Sequence, residues 1–280
     1  MSDERVSSYN VSEMPIGVDS EVERLRQQLM MTWEKEARDL RWWGLTDDMS
    51  VLELGSGPGF VTEQLARLVL GGKVTGVEYD ALLIDKAQDY LRGNAAGTWE
   101  IVQGNVMSMD FPDNTFDFAY GRYLFQHLPD PVGAVGEVLR VLKPGGKLVI
   151  ADVDDQLNIF DPPASDEIKA VDERVNKAMQ QDQASKGGNR LVGRSLLRIL
   201  EQGGFESLDI EAILAHSRLV DLSQVVPMPT PEQLQPLVES GIITEAEVGL
   251  IISEAEAFEA ADHVIIIPLL LACGQKPQTG

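Results

Sequence analysis

The stretch Val51-Leu-Glu-Leu-Gly-Ser-Gly-Pro-Gly59 constrains this chain more than any other. An apolar run, Val51 to Leu54, stops at Gly55, Gly57 and Gly59, and a helical apolar pattern (Phe60, Val61, Leu65, Leu68) follows at once. That is a strand, a glycine turn and a helix start. Glycines there let the backbone turn tightly and let a ligand lie against bare main chain. The helix start behind them offers unpaired N–H groups. The spacing is G-x-G-x-G, and the place of a third glycine in a dinucleotide fingerprint is taken by Phe60. No Lys-Ser/Thr pair follows, so the loop is not a Walker A motif. Taken alone, the stretch also fits a generic glycine-rich strand-to-helix turn.

Composition narrows the class. A chain of 280 residues suits one large domain or one domain with an elaborated cap, and 44% hydrophobic content supplies a sizeable core. A net charge of −22 repels phosphate backbones, so a nucleic-acid substrate is disfavoured. The single cysteine, Cys273, excludes an intrachain disulfide, and one Cys with three His does not make a zinc site; no metal is expected. The polar N-terminus lacks a signal-peptide pattern, and the apolar run from Val264 to Cys273 is too short to span a bilayer. A cytoplasmic protein with no membrane partner is the default expectation.

Along the chain, Val22, Leu25, Leu29, Trp33, Ala37 and Leu40 predict one amphipathic helix from Asp19 to Gly44, with Asp19 or Ser20 as N-cap. It either packs on a sheet or forms a lid over a ligand, or both. Strands follow at 49–54, 73–77, 99–102, 116–120 and 147–151. Helices alternate with them, and Lys143-Pro-Gly-Gly146 ends the helix before the fifth strand. Alternation of this kind predicts an open, doubly wound parallel sheet with ligands at the C-terminal strand ends. After Asp152 the alternation stops. A charged helix-like insertion (159–184), a helix at 194–202, a strand at 205–219, helices near 231–241 and 244–261, and a last strand at 264–272 follow. The polar tail from Lys276 is expected to fray. The predicted fold is α/β: a Rossmann-like, seven-stranded, mostly parallel sheet with an antiparallel last strand. Expected divisions are a helical lid (1–45), a core (46–155), and a segment completing the sheet and enclosing an acceptor pocket (156–280).

Glu53, two residues before Gly55, turns the loop into E-x-G-x-G-x-G. Glu78 ends the second strand roughly twenty residues after the glycines, placed to accept from ribose hydroxyls. Gly104-Asn-Val-Met-Ser-Met-Asp-Phe-Pro-Asp-Asn-Thr-Phe-Asp117 and Arg140-Val-Leu-Lys-Pro-Gly-Gly146 complete an ordered set. Together they resemble class I S-adenosylmethionine (AdoMet) methyltransferases, of the small-molecule type found in ubiquinone and menaquinone biosynthesis. The resemblance covers about residues 50–152. It implies AdoMet as cofactor, with Gly55, Gly57 and Gly59 at its methionine part, Glu78 on the ribose, and Asn105 and Val106 at the adenine. Glu53, Ser56, Tyr79, Gly121 and Arg122 fall in the same implied set. Asn105 departs from the usual Asp, though its amide oxygen can still accept from an adenine amino group.

Tyr123, Gln126 and His127 follow the fourth strand, where the transferable methyl should point. Arg122 is expected to pair with the AdoMet carboxylate or an acidic acceptor, and Arg122, Tyr123 and His127 are the candidate catalytic residues. His127 can take the acceptor's proton, or it can simply be satisfied at the turn before Leu128-Pro129. His216 and His263 read as structural. Asp152, Asp154 and Asp155 read as a solvated loop in preference to a Mg2+ site. The sulfonium methyl is already activated, so alignment and exclusion of water suffice for much of the catalysis. The expected function is methyl transfer to a small-molecule acceptor by a monomer or homodimer, at O, N or C, in secondary metabolism. A non-catalytic AdoMet-fold binding module and an NAD-dependent oxidoreductase are the alternatives.

Overall fold

The computed structural model describes residues 7–13, 17–219 and 229–278. Its elements run α1 (Val18–Met30), α2 (Trp33–Trp42), β1 (Ser50–Leu54), α3 (Phe60–Leu68), β2 (Lys73–Glu78), α4 (Ala81–Asn94), β3 (Thr98–Gln103), β4 (Phe116–Arg122), α5 (Pro131–Val141) and β5 (Leu142–Asp152). Then come β6 (Ile159–Asp161), α6 (Asp166–Ser185), α7 (Leu196–Gln202), β7 (Glu206–His216), α8 (Pro231–Glu239), α9 (Glu245–Ala260) and β8 (Val264–Gln275). Among the described residues they form one sheet in the order β3-β2-β1-β4-β5-β8-β6, with β7 on the other side of β8. β1 to β5 are parallel; β8 runs antiparallel to β5, β6 and β7. The expected Rossmann-like sheet is therefore present. The additional strand, β6, is three residues long, too short to show a period of two.

The two faces of the sheet carry separate apolar cores. One joins Leu52, Leu54, Ala119 and Leu148 to α5 and α7 through Val138, Val141 and Leu200. The other joins Val51, Val74, Phe118 and Val149 to α2 and α3 through Trp33, Leu40, Leu65 and Ala66. Helices therefore cover both faces, as continuous apolar strands such as β1 require. The chain order reverses between β1 and β4, which opens a crevice at their C-terminal ends. α6, α8 and α9 meet in a small cluster of their own, built on Val171, Leu234, Ile243 and Val248.

The structure corrects four expectations. The helix predicted from Asp19 to Gly44 is two helices, broken at Met31 and Thr32, and Gly17 rather than Asp19 or Ser20 stands at its N-cap. The break is chemical. Thr32 donates its hydroxyl to the fully buried Glu36, and Arg122 donates Nε to Glu36 Oε2 at 2.9 Å and Nη2 to Oε1 at 3.2 Å. The same Nη2 reaches the Gln28 carbonyl at 3.1 Å, and Tyr120 donates its phenol to Glu36. A buried charge persists only when paired and hydrogen-bonded, so α1, α2 and β4 are tied at one point.

Secondly, Lys143-Pro-Gly-Gly146 does not lie between elements. α5 passes straight into β5, and the four residues form an irregular bulge between the Phe116–Leu142 and Phe118–Lys147 pairs. Thirdly, Lys276 is anchored: its amide donates to the Gly146 carbonyl at 2.8 Å and its ammonium to the Leu142 carbonyl at 2.6 Å. Residues 279 and 280 of the expected tail lie outside the described residues. Fourthly, Asp152 and Asp154 are buried, not solvated.

Replacing Glu36 by Ala strands the Arg122 guanidinium in the core. It should lower unfolding free energy by about 3–5 kcal/mol, measured by urea denaturation. Glu34→Ala, on the exposed side of the same helix, should stay within about 0.5 kcal/mol of the parent.

Candidate functional site

The glycine turn leaves β1 with Gly55, Gly57 and Gly59 all at positive φ, 67°, 52° and 86°. Side-chain-bearing residues rarely adopt that region. The Gly55 and Ser56 amides donate to the Val77 carbonyl at 2.9 and 3.1 Å, which pins the turn to β2. The three glycines serve different ends. A Cβ at Gly59 would sit 3.1 Å from the Leu91 side chain and 3.2 Å from the Ala87 Cα, so this glycine seats α3 on α4. A Cβ at Gly57 would meet nothing within 4 Å: the main chain there faces open space. Ser56 beside it is buried, and its hydroxyl has no hydrogen-bond partner in the structure.

Glu78 stands at the end of β2. Its Oε2 accepts from the Gly57 amide at 2.8 Å, and its Oε1 from the Tyr79 and Asp80 amides at 2.8 and 2.9 Å. Burial pushes its pKa up against these three donors. Glu53 is deeper. It is buried in β1 and accepts the Thr62 hydroxyl, and burial pushes its carboxyl up to about 8. The Tyr79 side chain is exposed. Asn105 uses its amide oxygen locally, accepting from the Met107 amide at 2.9 Å in an Asx turn. The second lone pair of that oxygen is what remains for an adenine amino group. Val106 packs into the core beside Leu54 and Val77. A small pocket lined by Val77, Val102, Gly104, Met109 and Phe111 lies at the ends of β2 and β3, adjacent to Asn105.

On the other side of the crevice, Gly121 is packed between Leu54 and Phe125, and a Cβ there would sit 3.1 Å from the Phe125 ring. Arg122 has its guanidinium turned to Glu36, with 7% of the side chain exposed. In the structure the guanidinium is paired with a carboxylate of the protein itself. Its Cζ lies 4.6 Å from the Tyr123 ring centroid. Tyr123 adopts φ 53°, a strained value for an aromatic residue, and is held by its amide on the Ala151 carbonyl at 2.8 Å. Burial pushes its phenol up to about 12.

His127 ends a short 3-10 turn, Phe125–His127. Ser8 donates its amide to the His127 carbonyl at 2.9 Å, and the Ser8 hydroxyl lies 3.0 Å from Nδ1. The Tyr9 ring centroid is 5.3 Å from that of His127, and the Tyr9 phenol donates to the buried Glu21 at 3.0 Å. Arg24 closes the group with two 2.7 Å bonds to Glu21. Burial, reinforced by Arg190 and Arg24, pushes the His127 pKa down to about 4. The site is thus covered by the segment around Ser8 and Tyr9. Residues 1–6 and 14–16 of the expected lid lie outside the described residues.

Sequence reasoning missed Glu21, Glu36 and Ser8 and misread Asp152 as solvated. The first two were detectable, since both interrupt the apolar stripe of α1 and α2 at helical spacing. Asp152 accepts from the Gln126 amide at 3.1 Å and the Val153 amide at 2.9 Å; Asp154 takes two bonds from Arg194, and Asp155 pairs with Arg190. Among the described residues no group of His, Cys, Asp and Glu is arranged to hold a metal ion. A cleft of about 350 Å3 opens between α1, α3 and α4 on the outer side of α3. Its polar walls are already paired, Glu63 with Arg67 and Tyr90, so the crevice at the strand ends is the better-equipped site.

With this geometry in view, comparison with known proteins shows what part of the chain is similar to. The methyltransferase-domain family matches residues 52–150, the span from β1 to β5 that carries every element of the crevice. The match takes in about a third of the chain. Over 104 residues the chain is 38% identical to the sterol 24-C-methyltransferase erg-4 of Neurospora crassa, covering 37% of this chain and 27% of that protein. The chain thus matches about a quarter of that relative's length. Among solved structures it resembles a phosphoethanolamine N-methyltransferase of Haemonchus contortus, in complex with phosphomonomethylethanolamine and S-adenosylhomocysteine. That likeness has a TM-score of 0.60 and 17% identity, over 97% of this chain and 61% of that one. It also resembles the [4+2]-cyclase SpnF, with a TM-score of 0.52 and 22% identity over 86% of this chain and 80% of that one. At these identities the structures share the fold.

Two outcomes follow for the site's physical state. Gly59→Ala should cost more stability than Gly57→Ala. Both bear the positive-φ penalty of about 1–2 kcal/mol, but only Gly59→Ala also overlaps Leu91 and Ala87. Thermal melts of the pair check this. His127 has a folded pKa of about 4 against an ordinary 6.5. The unfolded chain therefore binds its proton first, and stability should fall as pH drops from about 6.5 to about 4, by on the order of 2–3 kcal/mol. Urea midpoints at pH 7 and pH 4.5, compared with His127→Gln, isolate this share; equal pH dependence in both proteins would remove it.

Proposed function

We propose that this chain transfers the methyl group of AdoMet to a small-molecule acceptor. The observation that carries the reading is the Gly55–Gly59 turn: main chain open to a ligand at Gly57, with Glu78 beside it at the switch point of the sheet. The residues fit the cofactor. The unpartnered Ser56 hydroxyl and the bare Gly57 backbone suit its methionine end. Glu78 has one acceptor site left, on Oε2, for a ribose hydroxyl, and the second lone pair of the Asn105 amide oxygen suits the adenine amino group. Bound there, AdoMet supplies a methyl group already activated by its sulfonium.

The chain's own residues then align and enclose the reactants. Residues 1–45 act as the lid, 46–155 as the cofactor core, and 156–280 complete the sheet and wall the acceptor. Ser8 and Tyr9, seated on His127, support the lid role. His127 is neutral across the physiological range. The tautomer that donates Nδ1–H to Ser8 leaves Nε2 as an acceptor, able to hold the acceptor's hydroxyl or amine in line. Tyr123, fixed by its strained backbone, borders the same space. Methylation at O, N or C in secondary metabolism is the finer reading, and it rests on the family resemblance.

Two other readings compete. One is a binding module without turnover; a cyclase shares this fold, so fold alone does not carry methyl transfer. A dinucleotide enzyme would need a glycine where Phe60 stands, packed edge-on against Tyr90 at 4.8 Å.

Calorimetry should detect S-adenosylhomocysteine binding and no NADH binding, and absence of the former would refute the proposal. Glu78→Ala should weaken S-adenosylhomocysteine binding by about 1–3 kcal/mol, the scale for hydrogen bonds to a charged group. Unchanged affinity would place the ribose elsewhere.

A further inference from the structure

We propose that Asp152 is a positioning residue of this site: its carboxylate sets the turn that carries His127. The inference rests on the methyltransferase reading only for what His127 then does; the clamp itself stands on geometry. Asp152 ends β5 and is fully buried. Its Oδ2 receives the Gln126 amide at 3.1 Å, and its Oδ1 receives the Val153 amide at 2.9 Å. Gln126 immediately precedes His127, and its carbonyl is fixed from the opposite side by the Asn189 amide at 2.7 Å and the Gln183 side-chain amide at 2.8 Å. The peptide units flanking Gln126 are therefore held from both sides. His127, one residue on, is joined to Ser8 by both its carbonyl and its ring. Asp152 reaches the imidazole through a single residue.

The carboxylate form is what the clamp needs. An ionised carboxylate only accepts, and every partner named here is an N–H donor. A protonated Asp152 would turn one O–H towards those donors and lose a bond. Burial favours the neutral acid while the amide donors and Arg122 favour the anion, and the balance leaves the carboxyl at about 7. The titratable groups facing it are Arg122, already paired with Glu36, and Tyr123, which stays protonated up to about 12. Neither changes charge between pH 5.5 and 8.5. His127, at about 4, does not either. Glu53, at about 8, titrates in the same interval from β1, so a change of the turn reports Asp152 where it is absent from Asp152→Asn.

The test is nuclear magnetic resonance of the whole chain without ligand, following the Gln126 backbone amide and the His127 ring nitrogens. In the parent protein the Gln126 amide should titrate with a midpoint near 7, and its hydrogen exchange should quicken on the acid side. In Asp152→Asn that titration should vanish, Gln126 exchange should rise at least tenfold, and the His127 ring shifts should move. A side chain that merely fills space would leave the His127 nitrogens where they are. The inference is overturned if the parent Gln126 amide exchanges as fast as an exposed amide at pH 8.5, a measurement that needs no variant to fold. It is also overturned if the His127 shifts are the same in Asp152→Asn. Calorimetry with S-adenosylhomocysteine on the parent protein tests the methyltransferase reading separately, so the two can fail independently.

Discussion

One buried ion pair organises the active end of this molecule. Glu36 and Arg122 meet where α1, α2 and β4 converge, and Tyr120, Thr32 and the Gln28 carbonyl complete their bonding. Two charges withdrawn from water are tolerated only with that degree of satisfaction. The geometry has effects at both ends. It forces the N-terminal helical segment to break at Thr32, which turns α1 and the Ser8–Tyr9 segment onto the crevice. It also fixes Arg122 under the Tyr123 ring, which helps hold Tyr123 in its left-handed backbone. A pair that could have been taken for ligand-binding chemistry instead builds the wall behind it.

The glycine-turn half of the candidate site was legible because it is made of backbone. Positive φ and close approach demand glycine, so Gly55, Gly57 and Gly59 show in the sequence, and Glu78 follows at a spacing set by one helix and one strand. The other half is made of long-range side-chain pairings. Ser8 to His127, Tyr9 to Glu21 and Arg122 to Glu36 join positions separated by up to 119 residues, and no local period encodes them. Arg122 illustrates the limit. Its position after β4 suggested a carboxylate partner, correctly in kind, but the partner is Glu36 of the same chain. The helix break failed for a related reason: the apolar stripe continues through Thr32, and only the buried carboxylate four residues later makes the break favourable.

The three aspartates after β5 show how burial changes a reading. Listed in sequence they resemble a hydrated acidic loop. In the fold they close two connections: Asp152 the turn at Gln126, Asp154 and Asp155 the stretch around Arg190 and Arg194. The glycine at 193 completes this arrangement, since a Cβ there would sit 2.8 Å from the Val153 backbone. The stretch after α6 is thus held to the end of β5 by carboxylates.

The place of β8 in the sheet bears on how the chain is made. It is the last strand in sequence, yet it lies between β5 and β7 and also pairs with β6. Synthesis proceeds from the N-terminus, so β5 emerges from the ribosome with a bare apolar edge and keeps it while more than a hundred further residues are added. Such an edge is a template for unwanted strand pairing. The anchoring of Lys276 onto Leu142 and Gly146 comes later still. A truncated or stalled chain therefore carries every residue of the cofactor crevice with its sheet unfinished.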